Sequence, residues 1–140
     1  MRVVVAEKPS VARDLARVLG ARGRGEGCLK GDGLAITWCF GHMAELVDPG
    51  DYRDDWKRWS PDTLPMVPDA FRLRLRGGDV GAHWKHLKRL LREADELVNA
   101  CDAGREGELI FRYATELAGV RKPVLRFWTC LLYTSDAADE

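Results

Sequence analysis

Glu96-Leu-Val-Asn-Ala-Cys-Asp102-Ala-Gly104-Arg105-Glu106-Gly-Glu108-Leu-Ile-Phe111 decides the fold of this 140-residue chain. A short apolar run ends at Cys101, and carboxylates follow at Asp102, Glu106 and Glu108, separated by Gly104 and Gly107. Leu109, Ile110, Tyr113, Ala114 and Leu117 then recur at helical spacing. The stretch reads as strand, tight loop, helix. In open α/β sheets, ligands sit at the carboxyl ends of strands. Here that edge carries acids instead of a phosphate cradle. Three carboxylates so close repel one another unless a cation lies between them, and hard oxygen donors suit Mg²⁺. The same acids would also be favoured at a helix N-terminus by the helix dipole alone, and spacing leaves both readings open.

The chain start repeats the pattern. Arg2-Val-Val-Val-Ala6 is a β-branched run, hence a buried strand, and it ends in Glu7-Lys8-Pro9-Ser10. A helix follows, opened by Pro9 or Ser10, with Val11, Leu15, Val18 and Leu19 expected on its inner face. If the two strands are neighbours in a parallel sheet, Glu7 and Asp102 meet at one edge.

Glu-Lys-Pro-Ser after a first strand, with Asp-Ala-Gly-Arg-Glu-Gly-Glu about ninety residues later, resembles the Toprim domain of type IA DNA topoisomerases. The topoisomerase III branch fits best. Thr37-Trp-Cys-Phe-Gly41-His42-Met-Ala-Glu-Leu46 and the segment Tyr52 to Pro68 resemble that branch too, so the likeness runs from residue 1 to about 129. There is one departure. The superfamily pattern is Asp-x-Asp-x-Glu, and this chain has Gly104 in place of the second Asp. One ligand is thereby lost, which leaves open whether one metal or two is bound. Glu108 is a poor substitute, because a helical position two past Glu106 points elsewhere.

The resemblance implies a Rossmann-like parallel sheet flanked by helices, with an irregular insertion. It implies an isomerase that cuts one DNA strand, passes another and reseals. Asp102 and Glu106 would hold Mg²⁺ with Glu7 beside them. Glu7 would be the general acid for the leaving 3′ oxygen, a role that needs its carboxyl protonated. Lys8 would neutralise a phosphate oxygen as a point charge. Arg105 would do the same or make a surface ion pair. The attacking tyrosine belongs to a later domain. Tyr52 and Tyr113 do not stand in its motif, so the fragment is expected to be inactive alone, awaiting downstream topoisomerase domains. Single-stranded DNA is the expected partner. Nothing in the residues identifies a helicase. Two alternatives stand beside this reading. One is another Toprim enzyme, a primase or a nuclease, although those lack the Glu-Lys-Pro-Ser opening. The other is a non-enzymatic nucleic-acid-binding module.

Length suits one domain. There is no apolar run long enough for a membrane span and no signal-peptide pattern, so the cytoplasm is expected. Cys28, Cys39, Cys101 and Cys130 form no C-x-x-C pair, which argues against structural zinc. Cys39 and Cys101 read as core residues, whereas Cys28 reads as exposed. Residues 130–140, Cys-Leu-Leu-Tyr-Thr-Ser-Asp-Ala-Ala-Asp-Glu, break the pattern. They resemble the translation of a sequencing-library adapter and are set aside as a non-native tail, Tyr133 included. The tail holds three acids and no base, so the net charge of zero becomes +3 without it, compatible with a polyanion partner.

Between the two motifs, residues 20–33 are Gly-rich and read as a mobile loop that ends in an Asp32-Gly33 hairpin turn. Leu34 to Phe40 reads as a strand. His42 is either a donor to phosphate, an orienter of a ligand, or a loop histidine bonded to backbone. Trp56 and Trp59 either stack on unpaired bases or pin the Pro-rich insertion. Phe71, Leu73 and Leu75 alternate with Arg72, Arg74 and Arg76, which predicts a half-exposed strand with a basic face. His83 to Ala94 reads as an amphipathic helix, and Val124 to Trp128 as a further strand, after a helix capped by Gly119.

Overall fold

The computed structural model describes residues 1–78 and 80–128; the suspected tail lies outside the described residues. The strands are β1 Arg2–Ala6, β2 Gly23–Gly25, β3 Cys28–Gly31, β4 Leu34–Trp38, β5 Ala44–Leu46, β6 Leu73–Leu75, β7 Glu96–Ala100 and β8 Val124–Arg126. The α-helices are α1 Pro9–Val18, α2 Val80–Glu93 and α3 Arg105–Ala118. Six strands form the main sheet in the order β2-β3-β4-β1-β7-β8. β4, β1, β7 and β8 run parallel, and β2 and β3 add antiparallel at one edge.

β1 is central, so both of its faces must be covered, which is why Val3 to Ala6 is an uninterrupted apolar run. Val3 and Val5 pack with Trp84, Leu87, Leu91, Leu97, Ile110 and Phe111 beneath α2 and α3. Val4 and Ala6 pack on the opposite face with Val11, Ala12, Ala16 and Ile36 beneath α1. The chain leaves β1 for β4 on one side and returns to β7 on the other. The crevice between β1 and β7 is therefore the topological switch point, where such sheets bind ligands.

Several expectations change. Residues 23–31 are not a loop but the β2–β3 hairpin, which continues through Asp32-Gly33 into β4. Thr37 Oγ1 donates to Gly27 O at 2.8 Å and ties the hairpin turn to the sheet. Cys28 is buried, because the hairpin lies under α2 rather than in solvent. In α1 the inner face is Val11, Ala12 and Ala16, while Val18 is 83% exposed. Small alanines let α1 lie close to the sheet, and the helix turns its last residues outward. In α3 the inner residues are Gly107, Ile110, Phe111, Ala114 and Ala118, while Leu109 is partly exposed.

The insertion between β4 and α2 holds, among the described residues, three short 3₁₀ turns and the two-stranded β5–β6 ribbon. Trp56 is buried and packs beside Tyr52, so it pins the insertion. The expected basic face of β6 is not free. Arg74 bridges Glu45, Asp48 and Asp51 at 2.9, 2.7 and 3.2 Å. The Arg72 guanidinium lies 4.5 Å from the Tyr52 ring centre. These arginines hold the ribbon to the turns instead of facing a polyanion.

Candidate metal and phosphate site

The carboxyl ends of β1 and β7 lie side by side, with Ala6 paired to Ala100. One residue past β1, Glu7 presents its carboxylate to the β7 exit, where the Asp102 backbone N–H donates to Glu7 Oε2 at 3.2 Å. Lys8 Nζ stands 3.8 Å from Asp102 Oδ2. Glu7 and Asp102 thus meet at one edge, as the two strand–acid–helix patterns predict. Beneath them Cys39 and Cys101 are fully buried. A hydrogen bond with Cys39, then burial, pushes the Cys101 thiol up, so it is an inert part of the floor.

The two glycines of the motif have separate reasons. Gly104 has φ 152° and ψ 179°, a region in effect restricted to glycine. An aspartate at this position would not fit the same loop. A Cβ on Gly107 would fall 2.2 Å from Asp102 O and 2.8 Å from Asp102 N. Only glycine lets the first turn of α3 lie this close against the Asp102 peptide.

Glu106, on that first turn, is exposed, and its Oε1 lies 2.6 Å from His42 Nε2. His42 is therefore bonded to a candidate ligand, not to backbone; the contact crosses 64 positions of sequence and no local pattern signals it. The Tyr113 ring stands edge-on to His42, 6.4 Å between centroids. Glu108 does point elsewhere. It accepts from Asn99 Nδ2 at 2.9 Å and from Arg112 Nε at 2.7 Å. Arg105 is exposed and has no ion pair among the described residues. Trp59 is 76% exposed, in the insertion, and shares no ring contact with the edge residues among those described.

Two participants went unnoticed in the sequence. Asn99 is buried, and its Oδ1 accepts from Cys101 N at 3.1 Å. Arg126 donates to Asn99 O, Cys101 O and Asp102 O, each at 2.9 Å. An Asn at the inner end of an apolar strand was the available signal for the first; nothing local marks the second.

The donors suit a hard cation, being carboxylate oxygens at one edge. Among the described residues, however, no three His, Cys, Asp or Glu side chains stand ready-grouped around one point. Lys8 occupies the cationic position beside Asp102, and His42 holds Glu106.

A four-stranded parallel core with an acidic pair at its switch point defines a doubly wound α/β domain with carboxylates at the strand ends. Comparison with known proteins sharpens this. A family model described as "Toprim domain" matches residues 2–129, and the chain belongs to that family. It is 43% identical over 129 residues to DNA topoisomerase 3 of Bacillus subtilis (strain 168), covering 90% of this chain and 18% of that protein. It is 45% identical over 129 residues to DNA topoisomerase 3 of Shouchella clausii (strain KSM-K16), covering 91% of this chain and 18% of that one. A third relative, DNA topoisomerase 3 of Bacillus thuringiensis (strain Al Hakam), is 42% identical over 128 residues. The chain spans less than a fifth of the length of the curated relatives it matches.

Proposed function

We propose that this chain is the Toprim domain of a type IA DNA topoisomerase of the topoisomerase III branch, and that its β1–β7 edge handles the scissile phosphate of single-stranded DNA. The observation that carries the reading is the meeting of Glu7 with the Asp102 peptide at 3.2 Å, with Lys8 beside them. Its likeness to three proteins named DNA topoisomerase 3 supports it.

Asp102 and Glu106 would hold one Mg²⁺ with Glu7 beside them, and the ion when bound would orient and neutralise a phosphate. With Gly104 in the second Asp position and Glu108 committed to Asn99 and Arg112, one metal is favoured over two. Lys8 exchanges its contact with Asp102 for a phosphate oxygen when DNA arrives. Glu7, which accepts from the Asp102 N–H at the β7 exit, would serve as the general acid for the leaving 3′ oxygen. His42 keeps Glu106 oriented, and Arg105 adds charge at the phosphate. Trp59 offers an exposed face for an unpaired base. The nucleophile comes from a domain outside this chain. Tyr52 is not a candidate, since its hydroxyl accepts from Arg72 N at 2.7 Å beneath the Arg72 guanidinium. No helix of the described residues is long and apolar enough to cross a membrane, and a cytoplasmic setting fits DNA as the partner.

The test is calorimetric titration of the chain with Mg²⁺, with and without a single-stranded oligonucleotide, alongside a gel for nicking. Weak Mg²⁺ binding is expected, because this cation keeps its waters and prefers help from substrate phosphate. The oligonucleotide should tighten it, and no strand should be cut. Mg²⁺-dependent nicking by a pure sample would refute the reading and favour a nuclease using metal-activated water.

A further inference from the structure

We infer that Arg126 is a positioning residue for Asp102, and this rests on the metal and phosphate reading above. The β1–β7 ladder ends at Ala100. Beyond it the backbone leaves the sheet, and the carbonyls of Cys101 and Asp102 need donors from elsewhere, since a partly buried carbonyl without one is costly. Arg126, at the end of the adjacent strand β8, supplies them. Its Nη1 donates to Asn99 O and Cys101 O, and its Nη2 to Asp102 O, all at 2.9 Å. Nη1 also reaches Phe127 O at 2.8 Å.

The guanidinium is itself fixed from three directions. Its carbon lies 4.9 Å from the centre of the Trp128 ring. Its Nε is buried, makes no hydrogen bond among the described residues, and stands 3.6 Å from Glu108 Oε2. Glu108 is in turn held by Asn99 Nδ2 at 2.9 Å. A planar fork can serve carbonyls at two successive residues of a turning chain, whereas a lysine is a point charge without that geometry. By fixing the Asp102 peptide, Arg126 sets the aim of the Asp102 carboxylate and of the N–H that meets Glu7. The site loses its shape without it.

Electrostatics and positioning predict opposite signs here. Arg126 is a cation near a cation site, so removing its charge should by Coulomb's law alone tighten Mg²⁺ binding. A positioning role predicts weaker binding, because residues that orient metal ligands typically contribute about 10–100-fold to affinity. The experiment measures Mg²⁺ affinity in the presence of a single-stranded oligonucleotide for the full chain, Arg126→Ala and Arg126→Lys, well below each variant's melting temperature. Hydrogen exchange of the Asp102 amide is followed without metal. Both variants should bind Mg²⁺ about tenfold more weakly, and the Asp102 amide should exchange at least about tenfold faster while amides of β1 keep their protection. If Arg126→Ala does not fold, Arg126→Lys keeps the charge and carries the test. Unchanged or tighter Mg²⁺ binding with an unchanged Asp102 amide would overturn the inference. Absence of Mg²⁺ binding by the unaltered chain would instead overturn the metal reading, and the amide measurement would still judge Arg126.

Discussion

Replacing Gly107 by alanine sets two elementary effects against each other with opposite signs. Gly107 is in the first turns of α3, and on helix propensity alone Gly→Ala stabilises by about 1 kcal/mol. The added methyl, however, would stand 2.2 Å from Asp102 O, 2.8 Å from Asp102 N and 3.0 Å from Asp102 C. All three are backbone atoms, which cannot rotate away as a side-chain end can. Overpacking in a well-packed interior costs typically 1–3 kcal/mol, and a contact with backbone belongs at the upper end. The net expectation is a loss of about 2 kcal/mol. For a domain of this size that lowers the melting temperature by about 6–10 °C. Because the displaced group is the Asp102 peptide, Mg²⁺ binding should weaken as well. The assay is thermal unfolding followed by circular dichroism, with Gly81→Ala as control. Gly81 lies in α2 with nothing within 4 Å of its notional Cβ, so that variant should gain up to about 1 kcal/mol. A Gly107→Ala protein that melts at or above the temperature of the unaltered chain would refute the close-approach argument.

Further expectations concern single residues. Asp102→Ala should abolish Mg²⁺ binding measured by titration calorimetry, whereas Glu108→Ala should largely keep it. Glu108→Ala should instead lower stability by about 1–3 kcal/mol in urea, because the buried Asn99 amide loses its acceptor. His83 stacks on Trp38, bonds Trp38 O at 2.7 Å, and is held below the usual imidazole range chiefly by burial. A depressed histidine is protonated more readily in the unfolded chain. Its contribution is therefore complete above about pH 6.5 and is lost as pH falls below that. Urea midpoints at pH 7.5 and 5.5 should show a smaller acid loss for His83→Gln than for the unaltered chain; equal losses would dismiss His83 as the cause.

The local text of the chain determined a good deal of this. Two strand–acid–helix junctions, at Ala6-Glu7 and Cys101-Asp102, are readable because β-branched runs change to helical periodicity at a carboxylate. The α2 face of Trp84, Leu87, Leu90 and Leu91 was legible for the same reason, as was the Gly119 cap, whose φ is 68°. Period and punctuation are properties of neighbouring residues. The order of strands is not such a property. That β1 lies between β4 and β7, so that acids about ninety-five residues apart share one edge, is decided only when the sheet assembles.

Glycine-rich text misled at 23–31, since a hairpin gains its order by adding to β4 rather than from its own propensity. Alanines, too short to register as a hydrophobic stripe, hid the inner face of α1. The arginines of β6 looked like a basic surface until the acids of the insertion folded against them. The 2.6 Å contact of His42 with Glu106 and the grip of Arg126 on the Asp102 carbonyl are long-range hydrogen bonds. Their partners are set by where strands end in space, and composition and spacing carry no trace of that.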